Sequence, residues 1–218
     1  LLTIGVPPEV DAKAALLVWR SLHDLLRPRL KRFFCGQPQL AWEIAADTGG
    51  TRFRLWLPQR VPPGLAERAI CSAWPGASIS EGPAASFAAE AEVLLSTGFR
   101  LSEPDRFPIG CDADPDPLRL VLGQLADLDP GEQALVQLVA RPATARAQAR
   151  LLRDARRMRT GQPLSGLGRL LDLVSSRPPV RSPLANDPAL SPDVQAVLAK
   201  AREPLFDCAL RVAVTATA

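Results

Sequence analysis

Apolar positions in this chain recur at two spacings, and the switches between them predict its elements. Residues 2–6 read as a short strand stopped by Pro7-Pro8. From about Val10, the residues Ala12, Ala15, Leu16, Trp19, Leu22, Leu26 and Leu30 fall three and four apart, the stripe of an amphipathic helix. Pro28 is expected to bend or end that helix near its last turn, because its ring crowds the preceding turn and it has no amide hydrogen. Past Gly36-Gln37-Pro38 the period becomes two: Leu40, Trp42, Ile44 and Ala46 alternate with Ala41, Glu43 and Ala45. Asp47-Thr48-Gly49-Gly50 predicts a hairpin turn, with glycine supplying the positive φ. On the return strand, Phe53, Leu55 and Leu57 face one side and Arg52, Arg54 and Trp56 the other. Pro62-Pro63-Gly64 opens a second helix with the stripe Ala66, Ala69, Ile70, Ala73 and Trp74, and Pro75-Gly76 ends it. A short strand over residues 77–80 follows. The order β-α-β-β-α-β predicts a ferredoxin-like, split-βαβ α+β domain over residues 1–81, each helix covering one face of a four-stranded antiparallel sheet.

Gly82-Pro83 marks the expected boundary, and residues 82–218 are expected to form a second, smaller α+β domain with a helical insert. Val93-Leu94-Leu95 and Phe99-Arg100-Leu101 read as strand. Asp116 is placed as a helix cap, with Pro117 at the first helical position and Leu118, Val121, Leu122 and Leu125 as the stripe. After Asp129-Pro130-Gly131, residues 134–140 are apolar apart from Gln137, which predicts a strand buried on both faces. A basic helix is expected over 143–159, with Ala147, Leu151, Ala155 and Met158 as its thin apolar side and Arg146, Arg150, Arg153 and Arg157 opposite. Residues 175–192 read as a Ser/Pro-rich linker. Ser191-Pro192-Asp193 then gives an N-cap, an N1 proline and a first-turn acid, and residues 206–214 the last strand.

Composition narrows the class. At 218 residues and 23.4 kDa the chain can bury one large core or two small ones. With 47% hydrophobic and 22% charged residues it is globular rather than disordered. No run of 18 uncharged apolar residues occurs, which excludes a helical membrane span, and no signal-peptide pattern opens the chain. Both ends read as strands and the first residue is Leu1, so the chain is expected to be a segment of a longer protein.

The net charge of +3 by itself implies no polyanion partner, but its distribution says more. Between Arg141 and Arg159 stand seven arginines and one aspartate, a local +6 that leaves −3 for the rest. Such asymmetry marks a nucleic-acid or acidic-lipid surface; the plain alternative is a solvated helix face.

Catalytic chemistry is hard to find. A nucleotide-binding loop needs a lysine after glycine, yet Lys13, Lys31 and Lys200 are the only lysines and none follows a glycine. The cluster Gly161…Gly166-Leu167-Gly168 lacks the lysine and a preceding strand, and reads as a loop. Asp112, Asp114 and Asp116 imitate the start of a calcium loop, but Pro117 and Gly123 occupy the positions that need Gly and Glu. Cys35, Cys71, Cys111 and Cys208 show no paired ligand spacing, so they are expected to be small buried apolar groups, reduced in a cytoplasm. His23, the single histidine, reads as a partly buried or cap residue. No catalytic residue, cofactor site or metal site is assigned, and an independent enzyme has no motif behind it. Arg52, Arg54 and Trp56 share a strand face and offer a second binding reading. It is a stand-alone, single-strand nucleic-acid module resembling an RNA-recognition domain, though without the aromatic pattern of one.

Two passages carry a resemblance. One runs Cys35-Gly36-Gln37-Pro38-Gln39-Leu40-Ala41-Trp42-Glu43, then Leu55-Trp56-Leu57-Pro58, Val61-Pro62-Pro63-Gly64, Glu67-Arg68-Ala69 and Ala73-Trp74-Pro75-Gly76-Ala77. The other runs Asp116-Pro117-Leu118-Arg119, Leu128-Asp129-Pro130-Gly131-Glu132-Gln133-Ala134 and Val136-Gln137-Leu138-Val139-Ala140-Arg141-Pro142. Together, over roughly residues 1–160 and the last strand, they resemble the N-terminal region of actinobacterial type IV secretion, conjugative DNA-transfer ATP-binding proteins. The resemblance implies a HerA/FtsK-like motor domain elsewhere in the same polypeptide, where ATP and magnesium would bind. It also implies homo-oligomer neighbours, DNA and membrane-bound channel components as partners, and a place in the cytoplasm at the inner face of the cell membrane. The Ser/Pro insert departs from the family pattern. The arginine stripe, Arg146, Arg150, Arg153 and Arg157, is the expected DNA or partner contact.

Overall fold

A computed structural model describes residues 1–7, 12–62, 64–82, 87, 92–110, 117–160 and 191–217. Its strands are β1 (Leu2–Gly5), β2 (Leu40–Asp47), β3 (Gly50–Trp56), β4 (Ser78–Glu81), β5 (Val93–Phe99), β6 (Glu132–Pro142) and β7 (Phe206–Ala216). Its helices are α1 (Ala15–His23), which follows a 3-10 turn over Ala12–Ala14, α2 (Arg29–Cys35), α3 (Leu65–Ala73), α4 (Pro117–Ala126), α5 (Ala145–Thr160) and α6 (Pro192–Arg202). The protein is mixed α and β. All seven strands form one sheet, ordered β4-β1-β3-β2-β6-β7-β5, with every neighbouring pair antiparallel.

Directly opposed residues in an antiparallel pair share a face, so the register defines the core. Ile4 lies opposite Phe53, Phe53 opposite Ile44, and Ile44 opposite Val136. On that same face Leu2, Ile4, Leu40 and Leu55 pack against Val18, Leu22 and Leu25 from the α1 region and against Ala66, Ile70 and Ala73 of α3. Both helices therefore cover one face, not one face each. The α3 stripe is as the spacing predicts at Ala66, Ala69, Ile70 and Ala73, all buried, whereas Trp74 lies past the helix as its C-cap and is half-buried. The α1 stripe is rotated: Val18 is buried, whereas Leu16 and Leu30 are exposed. For Leu30 the cause is the break before Pro28. Helix α1 ends at His23, Pro28 sits at φ −54, ψ 153, and α2 starts afresh, so the three-four spacing does not run through to Leu30.

The β2–β3 hairpin turns where expected. Asp47 Oδ1 accepts from the Gly49 amide at 2.8 Å, and Gly50 takes φ 106, a conformation that glycine enters without a Cβ penalty.

The later strands correct the expected second sandwich. β6 pairs with β2, and β7 and β5 extend the same sheet. An unpaired β2 edge would leave a row of bare amides and carbonyls, and β6 covers it. The apolar run in β6 reflects this central position; Ala134 and Ala140 are buried but residues 135–139 only half so. Helix α4 packs Leu122 and Leu125 near Ala46, Ala134 and Val136, while Leu118 and Val121 of its expected stripe are exposed. β5 forms one edge, with every residue exposed.

Contacts divide the chain at other places than the 81/82 boundary. One compact unit comprises Leu1–Arg100, Cys111–Pro142 and Phe206–Ala218, which holds the whole sheet; the other comprises Leu101–Gly110 and Ala143–Leu205. The second unit has its own core of Leu151, Ala155, Val194, Val197 and Ala201, with Phe107, Met158, Leu198 and Leu205 against it. Helix α6 is capped as predicted: Ser191 Oγ accepts from the Val194 amide at 3.4 Å, with Pro192 at N1. The expected linker up to residue 190, the Gly161…Gly168 loop, the Asp112-Asp114-Asp116 cluster, Cys111 and the start of the first helix at Val10 lie outside the described residues. Among those described, no helix is long and apolar enough to cross a membrane.

Candidate nucleic-acid interface

Helix α5 carries six arginines and one aspartate, a net +5. Its sequence can fold this way because two small contacts suffice to hold it: Leu151 and Ala155 are buried against α6, and Gln148 Nε2 donates to the Ala201 carbonyl at 2.7 Å. Thr144 starts the helix, its Oγ1 accepting from the Arg146 amide at 3.3 Å. Opposite that anchored side, Arg146, Arg150 and Arg153 are exposed. Arg157, expected in the same stripe, is half-buried. Arg156 and Arg159 are exposed and were outside the expected stripe; counting every arginine, rather than one helical spacing, would have found them. At 1.5 Å per residue, Arg146 to Arg159 spans about 20 Å, the length of roughly six phosphates of one DNA strand.

Arg150 reaches Asp105 at 3.2 Å in an exposed pair, and Arg153 Nε donates to the Ala149 carbonyl of its own helix at 3.3 Å. Lys200 donates to the Asp105 and Phe107 carbonyls at 2.5 and 2.8 Å and so fixes the 101–110 segment rather than adding to the basic surface.

The β3 set lies in the sheet unit. Arg52, Arg54 and Trp56 share the face opposite the one that α1 and α3 cover, and all three are half-buried. A row of in-register residues crosses that face: Ser80, Thr3, Arg54, Glu43, Gln137, Arg211 and Gly98. Gln137 Nε2 donates to Glu43 Oε1 at 2.9 Å, and Glu43 stands directly opposite Arg54. Arg52 Nη1 bonds Asp47 Oδ2 at 2.6 Å and clamps the hairpin. That hydrogen bond holds the Asp47 carboxyl below its ordinary range; burial opposes the effect, and the Gly49 amide and the charge of Arg54 add to it. Arg52 is thus engaged by a neighbouring acid, and Trp56 is the single aromatic on that face among the described strand residues.

The remaining chemistry stays structural. His23 packs edge-on to Phe206, ring centroids 5.6 Å apart, as a partly buried residue. Cys35, Cys71 and Cys208 are exposed, contrary to the expected burial: Cys71 faces away from the α3 stripe, and β7 leaves Cys208 uncovered. Among the described residues no group of three His, Cys, Asp or Glu side chains converges to hold a metal ion. No family model, curated protein or solved structure matches this chain.

Proposed function

We propose that this chain is a non-catalytic accessory region of a type IV secretion, conjugative DNA-transfer ATPase. In this reading it positions the motor domain of the same polypeptide against DNA, neighbouring subunits or the channel at the inner face of the cell membrane. Nucleotide and magnesium chemistry belongs to that motor domain, and no residue of this chain carries it. The first four strands are read as a ferredoxin-like split-βαβ sheet; the order β4-β1-β3-β2 with α1 and α3 on one face supports this.

The observation that carries the binding role is the arginine surface of α5, held by a thin apolar side against α6. Guanidinium groups spaced along one helix suit a phosphate backbone, and such contacts release counterions. The experiment is a salt titration of the full chain on double-stranded DNA, comparing the parent with Arg150→Glu/Arg153→Glu. Loss of two phosphate contacts lowers the slope of log affinity against log salt by about 1.8. The melting curve moves little, because the exposed Arg150–Asp105 pair is worth about 1 kcal/mol or less. An unchanged slope refutes the role.

The second reading, a single-strand module on the β3 face, is favoured by Trp56 and Arg54 sharing a sheet face with Arg211 nearby in the same polar row. Trp56→Phe removes oligonucleotide quenching in that case and leaves it intact in the first.

A further inference from the structure

One helix of this protein buries nothing. None of the seven residues of α2 is buried, and Leu30, Phe33 and Phe34 are 76%, 83% and 78% exposed. Their i, i+3, i+4 spacing puts all three on one arc of the helix. Arg29 and Lys31 flank that arc on either side and Arg32 lies behind it, at 100° per residue. No acidic residue stands between Asp24 and Glu43.

The helix is held in this position by its neck. Gln37 Oε1 accepts from the Arg27 amide at 3.0 Å, and Gln37 Nε2 donates to the Leu25 carbonyl at 2.9 Å. The Arg27 guanidinium donates to the Cys35 and Gly36 carbonyls, both at 3.1 Å, which satisfies the C-terminal end of the helix. Leu25 is itself part of the sheet-unit core. The apolar triad is therefore presented on a clasped projection.

Three large apolar side chains rimmed by cations match a bilayer with anionic headgroups. The rings and the leucine enter the headgroup–acyl boundary, while arginine and lysine reach phosphates from its rim. A single nucleic-acid strand fits less well. Leu30 offers no stacking face, and Phe33 and Phe34 meet edge to face at 5.2 Å and 87°, so one ring's face is already covered. We propose that α2 is a membrane-surface anchor: Leu30, Phe33 and Phe34 insert into an anionic bilayer, and Arg29 and Lys31, which flank the arc, pair with its phosphates. The anchor stands independently of the DNA-transfer reading.

The test is flotation of the full chain with phosphatidylcholine vesicles containing about one-third phosphatidylserine, against vesicles of phosphatidylcholine alone. The chain floats with the anionic vesicles. Phe33→Ser/Phe34→Ser lowers the partition at least about tenfold, and Arg29→Gln/Lys31→Gln lowers it about 25-fold, taking each basic group as worth roughly fivefold. Arg153→Glu/Arg156→Glu on α5 leaves it in place. The anchor is overturned if anionic vesicles do not bind the chain, if the phenylalanine variant binds like the parent, or if only the α5 variant abolishes binding. Oligonucleotide binding through Phe33 and Phe34 without vesicle binding overturns it equally. Both α2 variants alter exposed side chains, and unchanged far-ultraviolet circular dichroism confirms that they fold.

Discussion

Leu22→Ala is expected to cost about 3 to 4 kcal/mol of stability, and Leu16→Ala about 0.5 to 1 kcal/mol. The two leucines lie in the same helix, so the gain in helix propensity on going to alanine is common to both and cancels in the comparison. What differs is enclosure. Leu22 is fully buried between the sheet and α3, so truncation loses the transfer free energy of its side chain and leaves a cavity among Val18, Leu55 and Ile70. Leu16 is 45% exposed and leaves no enclosed cavity. Urea unfolding followed by tryptophan fluorescence is the assay. All four tryptophans, Trp19, Trp42, Trp56 and Trp74, lie in the sheet unit, so the signal reports that unit by itself and does not require the two units to unfold together. Equal midpoint shifts for the two variants, or a larger one for Leu16→Ala, refute the packing of α1 on its Val18–Leu22 side.

Two more outcomes follow from the hairpin. Asp47→Asn lowers stability by about 0.5 kcal/mol at neutral pH, a figure kept small because the Asp47 side chain is 35% exposed and solvent screens its pair with Arg52. The folded carboxyl titrates below its unfolded value, so its contribution is present above the ordinary carboxylate range and disappears as pH falls through the lowered pKa. The gap between parent and variant in urea midpoint must close in acid, and a gap independent of pH refutes the pairing. Gly50→Ala costs about 1 to 2 kcal/mol from its φ of 106 alone, since nothing lies within 4 Å of a Cβ there, and an unshifted midpoint refutes that backbone geometry.

The fold was legible where local chemistry decides the outcome. The Asp47–Gly50 turn, the α3 stripe and the Ser191 cap depend on residues within four positions of one another, and each is found where its sequence places it. Pairing of β2 with β6 joins residues about 94 apart, such as Glu43 and Gln137, and no local spacing encodes it. That is why β5, β6 and β7 read as a separate sandwich. An apolar run such as residues 134–140 has the same composition whether its two hydrogen-bonded edges belong to one sheet or to another. The basic helix was legible because charge is counted without a fold, but its partial burial was not. Arg157 shares the helical angle of Arg153 and still lies half-buried, since the angle says nothing of what surrounds the helix. Of the α2 triad, the sequence stripe takes in only Leu30, and assigns it to the core, because spacing cannot distinguish a buried apolar arc from a presented one.

How the arginines are distributed decides which of them can bind a polyanion. On the sheet, Arg52 has Asp47 at 2.6 Å and Arg141 has Asp207 at 3.2 Å. These exposed or half-buried pairs add little stability, but each cancels a charge where it stands. Helices α5 and α2 carry +5 and +3 in a chain whose net charge is +3, so the rest of the chain sums to −5. Screening over about 8 Å at physiological salt confines each charge to its own neighbourhood, so the net charge of the whole chain does not describe the surface of either helix. The small overall charge therefore conceals two local cationic surfaces of different character. Helix α5 sets its arginines among alanines and a single exposed leucine, Leu152, and so offers mainly charge, which suits phosphates in water. Helix α2 sets its cations around three exposed apolar side chains, which suits phosphates at the edge of an apolar phase. Added salt should therefore abolish binding through α5, while binding through α2 should retain the part that Leu30, Phe33 and Phe34 supply.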